Sequence, residues 1–205
     1  RAASAELCEA IIQSVVEIIP TANDPGLQEN IIYLFNICLI EQSQLIPSIV
    51  GIMDVFVQWW NNALSSSSGY SDVIDNLSSL FLGLAISTDA FPKELLIQVL
   101  NLFPRSDTES SSTTANMCRN ILSFVTKENI DQDLLASVAL AIARLFMMDK
   151  LKLSEMQIDG ELMSQMQGVL VEILRRIPQV LQEIEQMCQK SSTKARRLQA
   201  ILSSL

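Results

Sequence analysis

The sequence contains no histidine. Without an imidazole the chain cannot build a Ser-His-Asp or Cys-His catalytic system, a histidine-containing zinc site or an imidazole proton shuttle. It also has no glycine-rich loop of the kind that holds phosphates. We therefore predict that the chain is not an enzyme, has no catalytic or metal-binding residues and needs no cofactor.

Long uninterrupted apolar runs are also missing. The two longest candidates, residues 31–40 and 49–60, are both interrupted by polar residues. Since a membrane-spanning helix needs about 20 predominantly apolar residues, we predict no membrane span and no membrane partner. The chain begins with Arg1 and shows no apolar segment typical of a signal peptide, so we expect it to be a fragment of a longer protein.

Paired cysteines are absent as well. No two of the four cysteines are close in sequence, and each lies within an apolar helical pattern. This distribution favours buried free thiols in a reducing compartment over a disulfide or a metal site. The four are Cys8, Cys38, Cys118 and Cys188.

Basic residues are scarce in the first half of the chain. Residues 1–104 contain two of them, Arg1 and Lys93, against eleven acidic residues, whereas residues 105–205 contain twelve of each. The net charge of −9 therefore comes entirely from the first half. An acidic surface repels nucleic acid and attracts basic proteins. Simple solubility is the alternative explanation of the same excess.

Apolar residues at helical spacing are present along almost the whole chain, and no segment shows a sustained period of two. Prolines and the serine-glycine tract at 65–69 divide this pattern into about ten helices. The predicted spans are about Ser4–Ile19, Leu27–Gln42, Gln44 or Pro47 to Leu64, Ser71–Ser87, Pro92–Phe103, Thr108–Lys127, Asp131–Lys150, Glu161–Ile177, Pro178–Lys190 and Thr193–Leu205.

A pair of helices about every 40 residues is the period of HEAT repeats, whose hairpins bury their apolar faces against their neighbours. We predict an all-α fold, specifically an α-α superhelix (HEAT-type solenoid) of about five hairpins. It would form a single solenoid segment over residues 1–205. An ordinary globular bundle is the alternative, but several helices are apolar on more than one face and favour neighbours on both sides.

One stretch of the sequence resembles a family motif. Residues 99–104, Val-Leu-Asn-Leu-Phe-Pro, are followed by Asp107 and Glu109 and then by a further helix around 116–122. This order resembles the leucine-x-x-leucine-proline, short acidic turn and next helix that close a repeat in the importin-β (karyopherin-β) family of nuclear transport receptors.

Two other segments are similar to parts of the same family. The helix at 75–84 is similar to its asparagine-x-x-x-alanine-x-glycine inner helix, in which Gly83 would allow close helix contact. Residues 195–201 look like the final helix of such receptors. The resemblance extends over the whole chain and implies the C-terminal HEAT-repeat region of an importin-β-like receptor.

The resemblance also implies a register and a set of binding residues. A helices would line the convex side of the superhelix, and B helices, the second, fourth, sixth and eighth predicted, would line the concave side. Basic cargo would then contact Glu29, Asp72 and Asp75. Phenylalanine-glycine repeats of nucleoporins would dock between A helices, around Trp59 and Lys93.

The function implied by the resemblance is transport of basic protein cargo by a receptor that shuttles between cytoplasm and nucleus. Ran GTPase and nucleoporins would be partners through the parent receptor, and nucleic acid would not be a partner. A HEAT-repeat assembly scaffold of a non-transport complex is the alternative.

The candidate residues also have simpler structural interpretations. The positions four after Trp59 and Trp60 are not asparagine, so the tryptophan-asparagine arrays of armadillo proteins are not matched. Trp60 is expected in the core, and Trp59 is either a surface anchor or a second core layer. Asp72 and Asp75 are predicted to point outward from an amphipathic helix, without any partner for acid-base catalysis.

Overall fold

The chain is all-α, as the periodicity predicts. The computed structural model describes residues 2–41, 45–66, 69–89, 91–105, 111–127, 130–148, 150–190 and 195–203. These residues form twelve α-helices, a short 3-10 helix at Ile19–Thr21 and no strand. The α-helices are α1 (Ala2–Ile18), α2 (Pro25–Glu41), α3 (Ile46–Val50), α4 (Met53–Ser65), α5 (Ser71–Ser87), α6 (Lys93–Leu102), α7 (Ser111–Phe124), α8 (Gln132–Phe146), α9 (Lys150–Glu155), α10 (Gly160–Arg176), α11 (Gln179–Lys190) and α12 (Arg196–Leu202).

The helices pack in two compact units, which divide between residues 89 and 91. In the first unit α5 packs against α2, α3 and α4, and α1 contacts α2. In the second unit α8 packs against α6, α10, α11 and α12, and α10 contacts α7. Several helices thus contact the helix two places further along the predicted order, as α2 contacts α5 and α6 contacts α8, which is typical of helical-repeat proteins. The continuity of one solenoid segment over residues 1–205 stays a prediction.

One predicted helix is divided into α3 and α4, and α9 forms beyond the end of another predicted helix; both correct the expected count of about ten. The helix predicted up to Leu64 breaks at Gly51: the N–H of the next residue, Ile52, donates to the carbonyl of Ile49 three residues earlier, and α4 begins at Met53. The helix predicted up to Lys150 ends in a tight turn, where the N–H groups of Met147 and Met148 donate to carbonyls three residues earlier. Neither break has a proline at the point of interruption. The predicted starts at Thr108 and Thr193 lie outside the described residues.

Close contact between α2 and α5 depends on Gly83. A Cβ atom at this position would lie 2.5 Å from Cδ2 of Leu39, so α5 approaches α2 where it has no side chain. Nearby, the Asn36 side chain donates a hydrogen bond of 3.0 Å to the carbonyl of Asn76. Asn36 of α2 contacts Asn76 of α5, and the later residue Leu39 contacts the later residue Gly83. The two helices therefore run in the same direction. The predicted role of Gly83 in close helix contact is confirmed.

Three of the four cysteines are buried free thiols, as predicted: Cys38, Cys118 and Cys188. The side chain of Cys8 lies outside the described residues. Cys118 has no exposed surface, and burial, which disfavours the thiolate, raises its pKa to about 12. Burial also raises the pKa of Cys188.

We therefore expect native Cys118 to resist alkylation by iodoacetamide near pH 8 and to react in urea, as measured by mass spectrometry of digested protein. Because folding raises its pKa, the thiol contributes stability that is complete below about pH 9 and is lost as the pH rises towards 12. The free energy of unfolding should fall over that interval, and Cys118→Ala should remove part of the slope. Rapid native alkylation at pH 8 would contradict the burial.

Candidate protein-binding surface

Two of the predicted cargo-binding carboxylates lie on adjacent helices of the first unit. Glu29 is in the second turn of α2, and Asp72 is in the first turn of α5. Because α2 and α5 run in the same direction, both residues lie toward the N-terminal ends of this helix pair. Both side chains are half-buried, so each retains some contact with solvent. Asp72 also has a structural role there, since a carboxylate in the first turn interacts favourably with the helix dipole.

Asp75 does not point outward, and this part of the prediction is wrong. Its relative exposure is 7%. Three helices, α2, α3 and α4, pack around α5, which leaves little of its circumference open to solvent. A helix with one covered face would have exposed Asp75, whereas a helix covered on several sides buries it. Asp75 therefore cannot present its carboxylate to cargo in this conformation.

Trp59 is a core residue rather than a surface anchor. It is 5% exposed, and its ring lies edge-to-face with that of Phe56, with 5.7 Å between the centroids. Phe56 in turn packs on Phe35 of α2, and Trp60 packs on Phe81 of α5. The two tryptophans thus occupy neighbouring positions in the same apolar core. Of the two alternatives for Trp59, the second core layer is confirmed and the surface anchor is wrong.

Lys93 links the N-terminal ends of α6 and α8. Its ammonium nitrogen lies 2.8 Å from a carboxylate oxygen of Asp131 and 2.8 Å from one of Asp133. Asp131 is also the N-cap of α8, where it accepts the N–H of Asp133. The hydrogen bonds to the two carboxylates raise the pKa of Lys93, and the bond from Lys93 lowers the pKa of Asp131. The charge of Lys93 is therefore already neutralised within the second unit, which weakens its candidacy as a partner-binding residue.

The periodicity of the sequence did not reveal an exposed apolar stripe on α2. Leu27, Tyr33 and Ile37 are 42%, 59% and 41% exposed, respectively, and exposed Asn30 lies between them. Because α2 is apolar on nearly all sides, the sequence does not indicate which of its apolar positions are buried. Asn30 is the only polar residue of this stripe, so the sequence alone gives little indication that the stripe is exposed.

Exposed large apolar side chains concentrate in the first unit. Among the described residues, seven of the eight that are exposed precede residue 90, and only Leu151 belongs to the second unit. The eight are Leu7, Ile18, Leu27, Tyr33, Ile37, Val50, Leu64 and Leu151. The same unit carries the acidic excess of the sequence. Exposed apolar side chains on a unit with charge of one sign make that unit a candidate for protein binding.

The second unit has an open groove between the end of α7 and the C-terminal two thirds of α10, with a volume of about 990 Å³. Lys127, Glu172 and Arg176 are among the charged residues that line it, and Arg176 forms an ion pair with Glu172. The groove therefore carries both signs of charge, and its lining residues do not indicate a particular class of ligand.

No group of three or more potential metal ligands occurs in the part of the chain that the structure describes. In the same part, no helix is both long enough and apolar enough to cross a membrane. Comparison with protein-family models, with curated proteins and with solved structures gives no match. The features of the molecule that indicate a function are therefore its fold and its distribution of charge and exposed apolar side chains.

Proposed function

We propose that the chain is a protein-binding segment of a helical-repeat protein and that its first unit binds basic segments of other proteins. The observation that carries this proposal is the charge of residues 2–90, which contain ten acidic residues and no basic one. A folded unit with that composition has a negative potential that no cation of its own segment offsets. Such a potential raises the local concentration and the association rate of basic partners.

The contact residues follow from exposure. Glu29 and Asp72 lie on neighbouring helices and are partly accessible, so they are retained as cargo-binding residues. Asp75 and Trp59 are buried, and Lys93 is held by two carboxylates, so these three stay outside the proposed contact surface.

The more specific form of the proposal is the C-terminal region of an importin-β-like receptor that shuttles basic cargo between cytoplasm and nucleus. It is supported by the all-α repeat packing, by the role of Gly83 at the contact of α2 with α5 and by the acidic first unit. A non-transport assembly scaffold would have the same packing. Binding of GTP-loaded Ran or of phenylalanine-glycine peptides to the chain distinguishes the two, and absence of both favours the scaffold.

The proposal is tested by fluorescence anisotropy with a lysine- and arginine-rich localisation peptide and the full chain. Because screening shortens the Debye length from about 10 Å at 0.1 M salt to a few ångströms at high salt, affinity should fall on the order of tenfold between 0.05 and 0.5 M NaCl. A peptide with glutamine at every basic position is the control. Absent or salt-insensitive binding would refute the proposal.

Two double variants, one in each unit, test which carboxylates contribute to peptide binding. E29Q combined with D72N should weaken binding roughly fivefold, because it removes two partly exposed charges near the proposed contact. E155Q combined with E161Q removes two exposed charges from the second unit and should leave the affinity almost unchanged. Equal effects of the two pairs would show that only net charge matters.

A further inference from the structure

We infer that the exposed face of α2 binds an amphipathic basic helix of a partner protein. This inference rests on the proposed function and adds to it a surface and a partner conformation. The surface, called the α2 stripe below, consists of Leu27, Asn30, Tyr33 and Ile37.

The geometry of the α2 stripe fits a helix. Its members are spaced by three, three and four residues, so they lie within an arc of about 120° and extend over about 15 Å, or nearly three turns. A row of this kind forms a ridge beside grooves into which the side chains of another helix pack. The described residues contain no strand whose edge would accept an extended peptide.

The stripe has the chemistry of an interface core. Leu27 and Ile37 offer aliphatic surface at its two ends, and Tyr33, the most exposed of the set, offers a large ring with a polar tip. Tyrosines in such positions contribute strongly to binding because they bury much area and lose little conformational entropy. On another side of α2, the helix packs on α5 and the Asn36 side chain donates a hydrogen bond to the carbonyl of Asn76.

The acidic residues near the α2 stripe favour a basic partner. Glu29 is half-exposed one turn before Tyr33, and exposed Asp24 precedes Leu27 by three residues and accepts its N–H at 2.9 Å. Exposed Glu17 belongs to α1, which contacts α2. Residues 2–90 supply no base to pair with these carboxylates. A helix with leucines on one face and lysines or arginines beside them complements both the apolar stripe and its acidic border.

The same charge disfavours a second copy of the chain as the occupant. Two α2 stripes placed face to face would bring two acidic units together without any base between residues 2 and 90 to offset the repulsion. A basic partner removes that repulsion and gains an attraction in its place.

The test uses the full chain and a labelled 14-residue peptide of leucine and lysine, with leucines at helical spacing along one face. The control peptide has the same composition in an order that spreads the leucines around the helix. We expect the patterned peptide to bind about tenfold more tightly than the scrambled one, since both carry the same charge and only the patterned one buries a continuous apolar face.

Variants of the chain locate the site. Y33S and I37N both replace exposed side chains, so the fold should be retained, and circular dichroism checks this. Each should weaken the patterned peptide about tenfold and leave the scrambled peptide unchanged. L151S removes the 73% exposed leucine of the second unit and should have no effect on either peptide.

The outcomes separate the two proposals. If both peptides bind with equal, salt-sensitive affinity and Y33S has no effect, the basic-segment function stands and the α2 stripe is refuted. If neither peptide binds, both are refuted. If sedimentation of the chain alone shows a dimer that Y33S dissociates, the stripe binds a second copy and the inference is wrong.

Discussion

Replacing Gly83 with alanine is expected to lower the free energy of unfolding of the first unit by about 1–3 kcal/mol. The added Cβ would lie 2.5 Å from Cδ2 of Leu39, well inside ordinary van der Waals contact. Alanine is a better helix former than glycine by about 1 kcal/mol, but the overlap occurs at the most extensive helix contact of the unit. Leu39 is itself only 9% exposed, so its Cδ2 can move away from the added Cβ only by changing its packing against its neighbours.

The measurement is urea unfolding followed by tryptophan fluorescence, which reports on the first unit because Trp59 and Trp60 both belong to it. Gly168 is the matched control. It lies in the middle of α10, and, apart from its chain neighbours and the adjacent backbone of α10, no heavy atom of the described residues lies within 4 Å of a Cβ built there. Gly168→Ala should therefore stabilise the second unit by about 0.5–1 kcal/mol, as measured by circular dichroism.

A double-mutant cycle tests the cause. Leu39→Ala alone should cost about 2–5 kcal/mol because it opens a cavity. In that background, Gly83→Ala should be neutral or stabilising, since the atom with which Cβ collides has been removed. An equal cost of Gly83→Ala in both backgrounds would show that the contact with Leu39 is not responsible.

Replacing Arg144 with methionine is expected to destabilise the second unit by about 2–4 kcal/mol. Arg144 of α8 donates from Nε to the carbonyl of Phe103 at 2.9 Å and from Nη2 to the carbonyl of Leu100 at 2.6 Å. Both carbonyls lie at the C-terminal end of α6, where carbonyl groups run out of helical partners; that of Leu100 also accepts the N–H of Phe103 at 3.2 Å. Burial lowers the pKa of Arg144, so the guanidinium has lost part of its hydration and depends on these two bonds.

Loss of stability should be visible by circular dichroism and as faster amide exchange at the end of α6. Arg144→Lys should recover only part of it, because an ammonium group cannot donate in the fixed fork geometry of a guanidinium. Arg175→Met, at an exposed position of α10, is the control and should change stability by less than about 0.5 kcal/mol. Similar effects at positions 144 and 175 would contradict the proposed role of the two bonds.

The sequence predicted the fold class well because the helical period and the turn residues agree. The predicted helix over Ser71–Ser87 has those bounds in the structure. It follows Gly69, whose φ of 82° is readily adopted only by glycine. The breaks at Gly51 and after Phe146 could not be predicted in the same way. Each leaves the apolar pattern continuous and changes only one turn of backbone hydrogen bonds.

The candidate site was less predictable because α2 and α5 are apolar on several sides. Periodicity distinguishes a buried face from a solvated one only when polar residues mark the latter. On α5 the polar residues were misleading, since Asp75 lies on the polar face that the sequence pattern predicts and is nevertheless buried by neighbouring helices. On α2 the marking was too sparse, so Tyr33 and Ile37 could not be distinguished from core residues. Charge does not depend on helix orientation, and it favoured the first unit, where the proposed surface lies.

Methyl NMR of the full chain with labelled isoleucine and leucine side chains tests the proposed surface most directly. Addition of the patterned leucine-lysine peptide should shift the methyl signals of Leu27 and Ile37, and 0.5 M NaCl should reverse most of the shift. The methyl signals of Leu151 should stay in place. Shifts confined to the second unit, or no shift at peptide concentrations that saturate binding, would contradict recognition of basic helices by the first unit.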